Sequence, residues 1–180
     1  MMDKALLEVI KKRRTVRAFS EEEVNDEQVE AILEMGMYAP TYMNRKPWHF
    51  VVIRDKELQE RLGETLGVRP YIQQASAVIA VYGDPEVSNT WELDGCAAIE
   101  NMLIAATALG VGSAWAGSPG NVAWGETEEL MRDALKVPSG FRALSLMCLG
   151  HPAKMSVPHT KDERYDKSRI HYGNWRNLKS

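Results

Sequence analysis

A three-layer domain of the α+β or α/β class, with helices covering a central sheet, is what this sequence predicts, and three observations predict it. Helical and strand-like patterns alternate in the order helix, helix, strand, helix, strand, helix, strand, helix, strand, before an irregular tail. Two near-continuous apolar runs, Trp48 to Ile53 and Ala75 to Tyr82, have the β-branched and aromatic character of strands buried on both faces. One helix, from about Glu92 to Leu109, is apolar almost all round, as a central helix or one buried at a subunit interface must be. A length of 180 residues with 44% hydrophobic and 26% charged composition fits a single domain over 1–180.

Taken in order, Leu6, Val9 and Ile10 recur at helical spacing after Asp3, a suitable N-cap, and this first helix ends near Lys12 or Arg13. Asn25 or Asp26 opens a second helix whose apolar face is Val29, Ile32 and Leu33 and which Gly36 and Pro40 are expected to stop. The segment APTYMNRKP, 39–47, is too rich in breakers for regular structure and reads as an ordered loop. A helix over about 56–66 separates the two apolar runs. After the long helix, 110–117 (GVGSAWAG) reads as a short strand, Glu126 to Leu135 as a surface helix and Leu144 to Leu149 as another buried strand. From His151 onward no period is evident, yet Tyr165, Ile170, Tyr172, Trp175 and Leu178 are anchors expected to pack against something.

Composition excludes several functions. A net charge of -3 gives no basic excess for nucleic acid, and no apolar run is long enough to span a bilayer or has the form of a signal peptide, so a cytoplasmic protein is expected. Cys96 and Cys148 lack metal-ligand spacing and are expected as buried free thiols, and the four histidines are scattered, so no metal is expected. There is no GxxxxGK[ST] or GxGxxG loop and no GxSxG nucleophile, and Glu126, Glu128 and Glu129 read as a solvated helix face. A chain without acid–base apparatus of its own points to a reactive cofactor.

The sharpest local feature is RRTVR at 13–17, where Arg13, Arg14 and Arg17 with Thr15 offer planar donor forks and a hydroxyl suited to a phosphate monoester. A solvated basic helix end, complementing the helix dipole, is the alternative on spacing alone.

RRTVRAF at 13–19, APTYMNRKPWHFVVI at 39–53, DGCAAIENMLIAATALGVGSAW at 94–115, LGHP at 149–152 and KDERYDKSRIHYGNW at 161–175 together resemble the nitroreductase-like flavoproteins over practically the whole chain. That resemblance implies a three-layer α/β/α fold with a mostly antiparallel sheet and non-covalent FMN. It implies a homodimer whose residues 151–180 embrace the partner. Arg13, Arg14, Thr15 and Arg17, with Arg164 of the tail, match the group that grips the FMN phosphate and ribityl chain. Pro40, Thr41, Tyr42 and Asn44 match the loop that reaches flavin bound mainly by the other subunit, and Trp115, Ala116 and Gly117 the stretch at the isoalloxazine edge. The implied reaction is ping-pong hydride transfer from NAD(P)H through flavin N5 to a small organic acceptor such as a nitroaromatic or quinone. A flavin-binding protein with little turnover, or a specialised branch of the family, is the alternative. Tyr42, Arg45 and Lys46 depart from the family's small residue and glutamine; they either line the pocket mouth, favouring an anionic or aromatic acceptor, or lie at the surface. The short 84–93 loop implies an open site, with Trp91 at its rim or in the core.

Overall fold

In the computed structural model, which describes residues 4–176, the sheet is built on two antiparallel central strands, β2 (Ala77–Gly83) and β4 (Arg142–Gly150). β1 (Trp48–Ile53) pairs with β2 and β3 (Gly112–Ala116) with β4, so the order is β1-β2-β4-β3 and every pair is antiparallel. The helices are α1 (Ala5–Lys12), α2 (Asp26–Met37), α3 (Lys56–Thr65), α4 (Pro70–Gln74), α5 (Trp91–Ala108), α6 (Trp124–Leu135) and α7 (Lys161–Arg164).

The period of two along β2 divides the core. Val78, Ala80 and Tyr82 face a cluster with Leu58 and Leu62 of α3, Ile72 of α4, and Trp124 and Met131 of α6. Ala77, Ile79 and Val81 face the opposite cluster, made by Val29 and Ile32 of α2 and Ile99, Met102 and Leu103 of α5. This is the expected three-layer arrangement, and the antiparallel pairing fits the family resemblance. Among the described residues no helix is long and apolar enough to cross a membrane.

Several local expectations change. Asp3 lies outside the described residues, and Lys4 occupies the N-cap of α1. Asn25 caps α2 in a reciprocal box with Gln28. Gly36 does not stop α2 but lies buried inside it, because a Cβ there would come within 2.8 Å of Met102 Cγ; the residue lets α2 approach α5 closely. β1 is not buried on both faces: it is an outer strand with one neighbour, and His49 and Val52 stay exposed. The second strand begins at Ala77, because Pro70 starts the short α4 at a position where its missing N–H costs nothing. Cys148 is buried, its thiol pushed up to about 12 by burial, whereas Cys96 on α5 is only partly covered.

The expected surface helix α6 buries Trp124, Thr127, Glu128 and Met131. Glu128 is not a solvated carboxylate. It accepts from Arg142 Nε at 2.8 Å and Nη2 at 3.2 Å, from the Ala143 N–H at 3.0 Å and from Arg132 at 3.4 Å. Burial acts to raise its pKa, but the Arg142 hydrogen bond, the Ala143 amide and the two guanidinium charges outweigh that and hold it below the usual carboxylate range. A lowered native pKa stabilises the fold above the ordinary carboxylate value, and the contribution disappears as pH falls through the native one. Glu128→Gln is therefore expected to lose about 2 kcal/mol near neutrality, with the gap to wild type closing as pH falls below the ordinary carboxylate range. Urea denaturation across that range checks it; parallel stability curves would refute the assignment.

Candidate functional site

α1 ends in Lys11 and Lys12, and the chain leaves the helix at Arg13, whose backbone turns extended (φ −57, ψ 125) while its N–H closes on Val9 O. The following residues run along the outer side of β3: Thr15 bridges Ser113, Val16 N–H donates to Ser113 O at 2.8 Å, and Ser20 N–H donates to His151 O at 2.8 Å. The basic cluster is thus strung along one sheet edge, and its side chains diverge. Arg13 turns back toward α5, with Nε 3.7 Å from Glu100. Arg14 donates to the Val157 carbonyl at 2.8 Å. Arg17 sits over the Tyr71 ring, 5.9 Å from its centroid, and Thr15 is exposed.

Arg13 meets Arg164, 151 positions later in the chain, in a cleft of 620 Å³ between the end of α1, the middle of α5 and α7. Lys161 also lines it, as does Lys11, which is ion-paired with Glu8 at 2.6 Å; Glu100 is the carboxylate of the lining. Thr160 caps α7 and closes a box with Glu163, fixing the turn that presents Lys161 and Arg164. His159 adjoins Arg164 and lies 3.5 Å from Glu163. Arg14 does not line this cleft; it lies in a separate hollow with Lys12 and Met155.

The 39–47 loop sits elsewhere, against the start of α5. Residues 42–44 form a 3-10 turn in which Met43 (φ 50), Asn44 (φ 57) and then Lys46 (φ 54) take left-handed conformations. Thr41 Oγ1 accepts from Lys46 N–H at 3.1 Å, and Tyr42 N–H donates to the buried Asp94 at 2.9 Å. Arg45 lies over the Tyr42 ring and donates to Val87 O. Tyr42 is half exposed, and Pro40 and Asn44 are exposed. None of residues 40–46 lines the cleft of Arg13 and Arg164, so one chain presents the two parts of the expected site at separate places. Trp91 packs under Gly83 as a partly buried side chain against the core: a Cβ at Gly83 would lie 2.3 Å from its ring.

Trp115 and Ala116 end β3, and Gly117 (φ +71) turns the chain away above the Trp124 ring. Ser145 of β4 holds this turn by donating to Gly117 O at 2.9 Å. Sequence reasoning missed Lys11, Glu100, Lys161, Asp94 and Ser145. The pattern Thr-x-x-Glu at 160–163 was a usable signal for the turn carrying Lys161, whereas nothing local marks Glu100 or Ser145.

A family model described as the Nitroreductase family matches residues 10–86 and 66–151. A protein of Archaeoglobus fulgidus, provisionally named an NADH dehydrogenase/NAD(P)H nitroreductase, is 35% identical over 94% of this chain and 98% of its own. An FMN-dependent nitroreductase of Clostridium difficile superposes with a TM-score of 0.86 at 25% identity, covering 93% of this chain and 99% of the other. A provisionally named nitroreductase of Desulfovibrio desulfuricans, solved with FMN, gives 0.76 at 29% identity over 90% and 95% of the two chains. With the match of motifs, fold and full length together, the chain belongs to the nitroreductase family.

Proposed function

We propose that the protein is an FMN-dependent oxidoreductase, working as a homodimer, that uses NAD(P)H to reduce a small organic acceptor. The observation that carries this is the convergence of Arg13, Arg164 and Lys161 on a cleft whose lining carries one carboxylate, Glu100. Such an excess of guanidinium and ammonium groups fits a phosphate dianion, and the bidentate forks of two arginines suit its oxygens better than an inert surface patch would. The cofactor's phosphate therefore fits Arg13 and Arg164; the family motifs supply the other contacts, with Thr15 and Arg17 meeting the adjoining chain and the backbone of 115–117 the ring edge. When bound, FMN supplies the two-electron chemistry, taking hydride from NAD(P)H and delivering it to the acceptor.

Dimer formation is supported by what one chain leaves uncovered. Leu6, Ile10, Met35, Tyr38 and Leu109 expose an apolar hollow of 510 Å³ between α1, α2 and α5. Tyr165, Tyr172 and Trp175 of the tail remain 45%, 51% and 83% exposed, so their own chain covers these anchors only in part, while Ile170 is partly buried; Leu178 lies outside the described residues. A partner supplies both covers, and with them the 40–44 loop that its own chain holds away from the phosphate cleft. In this arrangement Pro40, Thr41, Tyr42 and Asn44 act on the cofactor of the other subunit. A reducing cytoplasm suits the unpaired Cys96 and Cys148.

Purified protein incubated with FMN is expected to retain it through gel filtration at dimer mass, and NADH or NADPH added without oxygen to bleach the flavin absorbance within seconds. Retained flavin that neither nucleotide reduces would favour a binding protein without turnover. No retention at all would overturn the reading.

A further inference from the structure

We propose that Ser145 is a positioning residue: by holding the carbonyls of Ala116 and Gly117, its buried hydroxyl aims the N–H groups of Gly117 and Ser118 at the flavin edge and favours the reduced cofactor. The inference rests on the flavin reading above and assigns a role in it to a residue of the sheet interior.

Ser145 is completely buried, and it interrupts an otherwise apolar run in β4. A buried hydroxyl among Leu and Met is unfavourable unless it bonds, and here it bonds across to the next strand. Its Oγ lies 2.9 Å from Gly117 O and 3.2 Å from Ala116 O, the shorter contact being the main bond for its single proton. The backbone is shaped to bring it there. The β2–β4 register slips between Val81 and Tyr82, which face Ser145 and Ala143, leaving Leu144 as the extra residue of a bulge. Alternation changes phase at that point: Ala143 shares a face with Leu146 and Cys148, while Leu144 shares the other with Met147 and Leu149.

On the receiving strand, two successive carbonyls approach one hydroxyl. Extended backbone sends successive carbonyls to opposite sides, so their convergence needs a break, and Gly117 with φ +71 supplies it. The Trp124 ring closes the turn from beneath; a Cβ at position 117 would lie 2.4 Å from Cζ3. Trp124 is itself fixed by donating from Nε1 to Ala143 O at 3.2 Å, beside the bulge. All peptides here are trans, so each N–H points opposite to the carbonyl of its own peptide unit. With both carbonyls turned to Ser145, the N–H groups of Gly117 and Ser118 turn away from it together, on a half-buried and an exposed residue. Two neighbouring donors fixed in advance favour whichever cofactor state carries more negative charge, and that is the reduced one.

The test uses the FMN-loaded dimer and the variants Ser145→Ala and Ser145→Cys, the second keeping nearly the same volume with a poor donor, in case the first fails to fold. Oxidised FMN is expected to bind both variants within about threefold of wild type, because the phosphate grip is untouched. The preference for reduced over oxidised flavin is expected to fall about tenfold, read as a midpoint potential about 30 mV more negative by dye equilibration. A folded variant with a lower melting temperature and an unchanged potential would overturn the proposal and leave Ser145 a structural residue. Wild type that takes up no FMN would remove the flavin reading and this inference together, a distinct result seen before any variant is made.

Discussion

Asp94→Ala is expected to cost about 3 kcal/mol of stability and to release the 41–46 turn. The carboxylate is 5% exposed and sits at the start of α5. It accepts from Tyr42 N–H at 2.9 Å, Ser88 Oγ at 2.8 Å and Thr90 Oγ1 at 3.3 Å. Alanine leaves those donors in a space too covered for water to replace the lost oxygen atoms freely, and each buried donor left unpaired costs about 1–3 kcal/mol. The turn amplifies the loss. Met43 and Lys46 hold left-handed conformations that cost about 1 kcal/mol or more apiece, and the Asp94 bond to Tyr42 is one of the contacts that keep them there. Asp94→Asn, which keeps one acceptor oxygen for Tyr42 N–H, should lose about 1 kcal/mol, since the hydroxyls of Ser88 and Thr90 can reverse toward its amide. Urea denaturation gives the energies, and hydrogen exchange at the Tyr42 amide reports the turn. An Asp94→Ala protein within about 0.5 kcal/mol of wild type, with that amide still protected, would show that Asp94 does not hold the loop.

Asp94 also marks the boundary of what the sequence discloses. The elements were legible because burial imposes a period, and Val29, Ile32 and the alternating residues of β2 carry it plainly. Arg13 and Arg164 were legible as residues of family-like motifs, and the fold brings them to one cleft. Glu128 was misread because a Glu on a helix of mixed composition looks alike whether it faces water or Arg142; the partner comes from a strand fourteen positions on, and no local pattern reveals it. Gly36 was misread for the converse reason: a glycine near a helix end suits termination, and only the approach of Met102 shows that it permits packing. Ser145 and Asp94 share one cause. Each is a buried polar residue that bonds the backbone of another segment, and the side chain identifies neither the segment nor its function.

Arg13→Ala is expected to weaken FMN binding about 30- to 100-fold, with Arg164→Ala of similar size and Arg14→Ala no more than about threefold. Arg13 and Arg164 share the cleft, while Arg14 is committed to the Val157 carbonyl. The loss at Arg13 has two parts: a bidentate donor disappears, and Glu100, 3.7 Å from its Nε, no longer has that counter-charge. A carboxylate left without that counter-charge would repel a phosphate bound in this cleft, so Glu100→Gln should recover several-fold of the affinity lost in Arg13→Ala and should tighten wild type only slightly. Fold stability should change by less than about 0.5 kcal/mol, because the Arg13 pair is partly exposed and long. Fluorescence titration measures the binding, and riboflavin isolates the cause. It has the isoalloxazine ring and ribityl chain but no phosphate, so wild type and Arg13→Ala should bind it alike. If Arg13→Ala weakened riboflavin as much as FMN, Arg13 would act through the shape of the site and not through the phosphate, and the assignment of this cleft to the phosphate would fail.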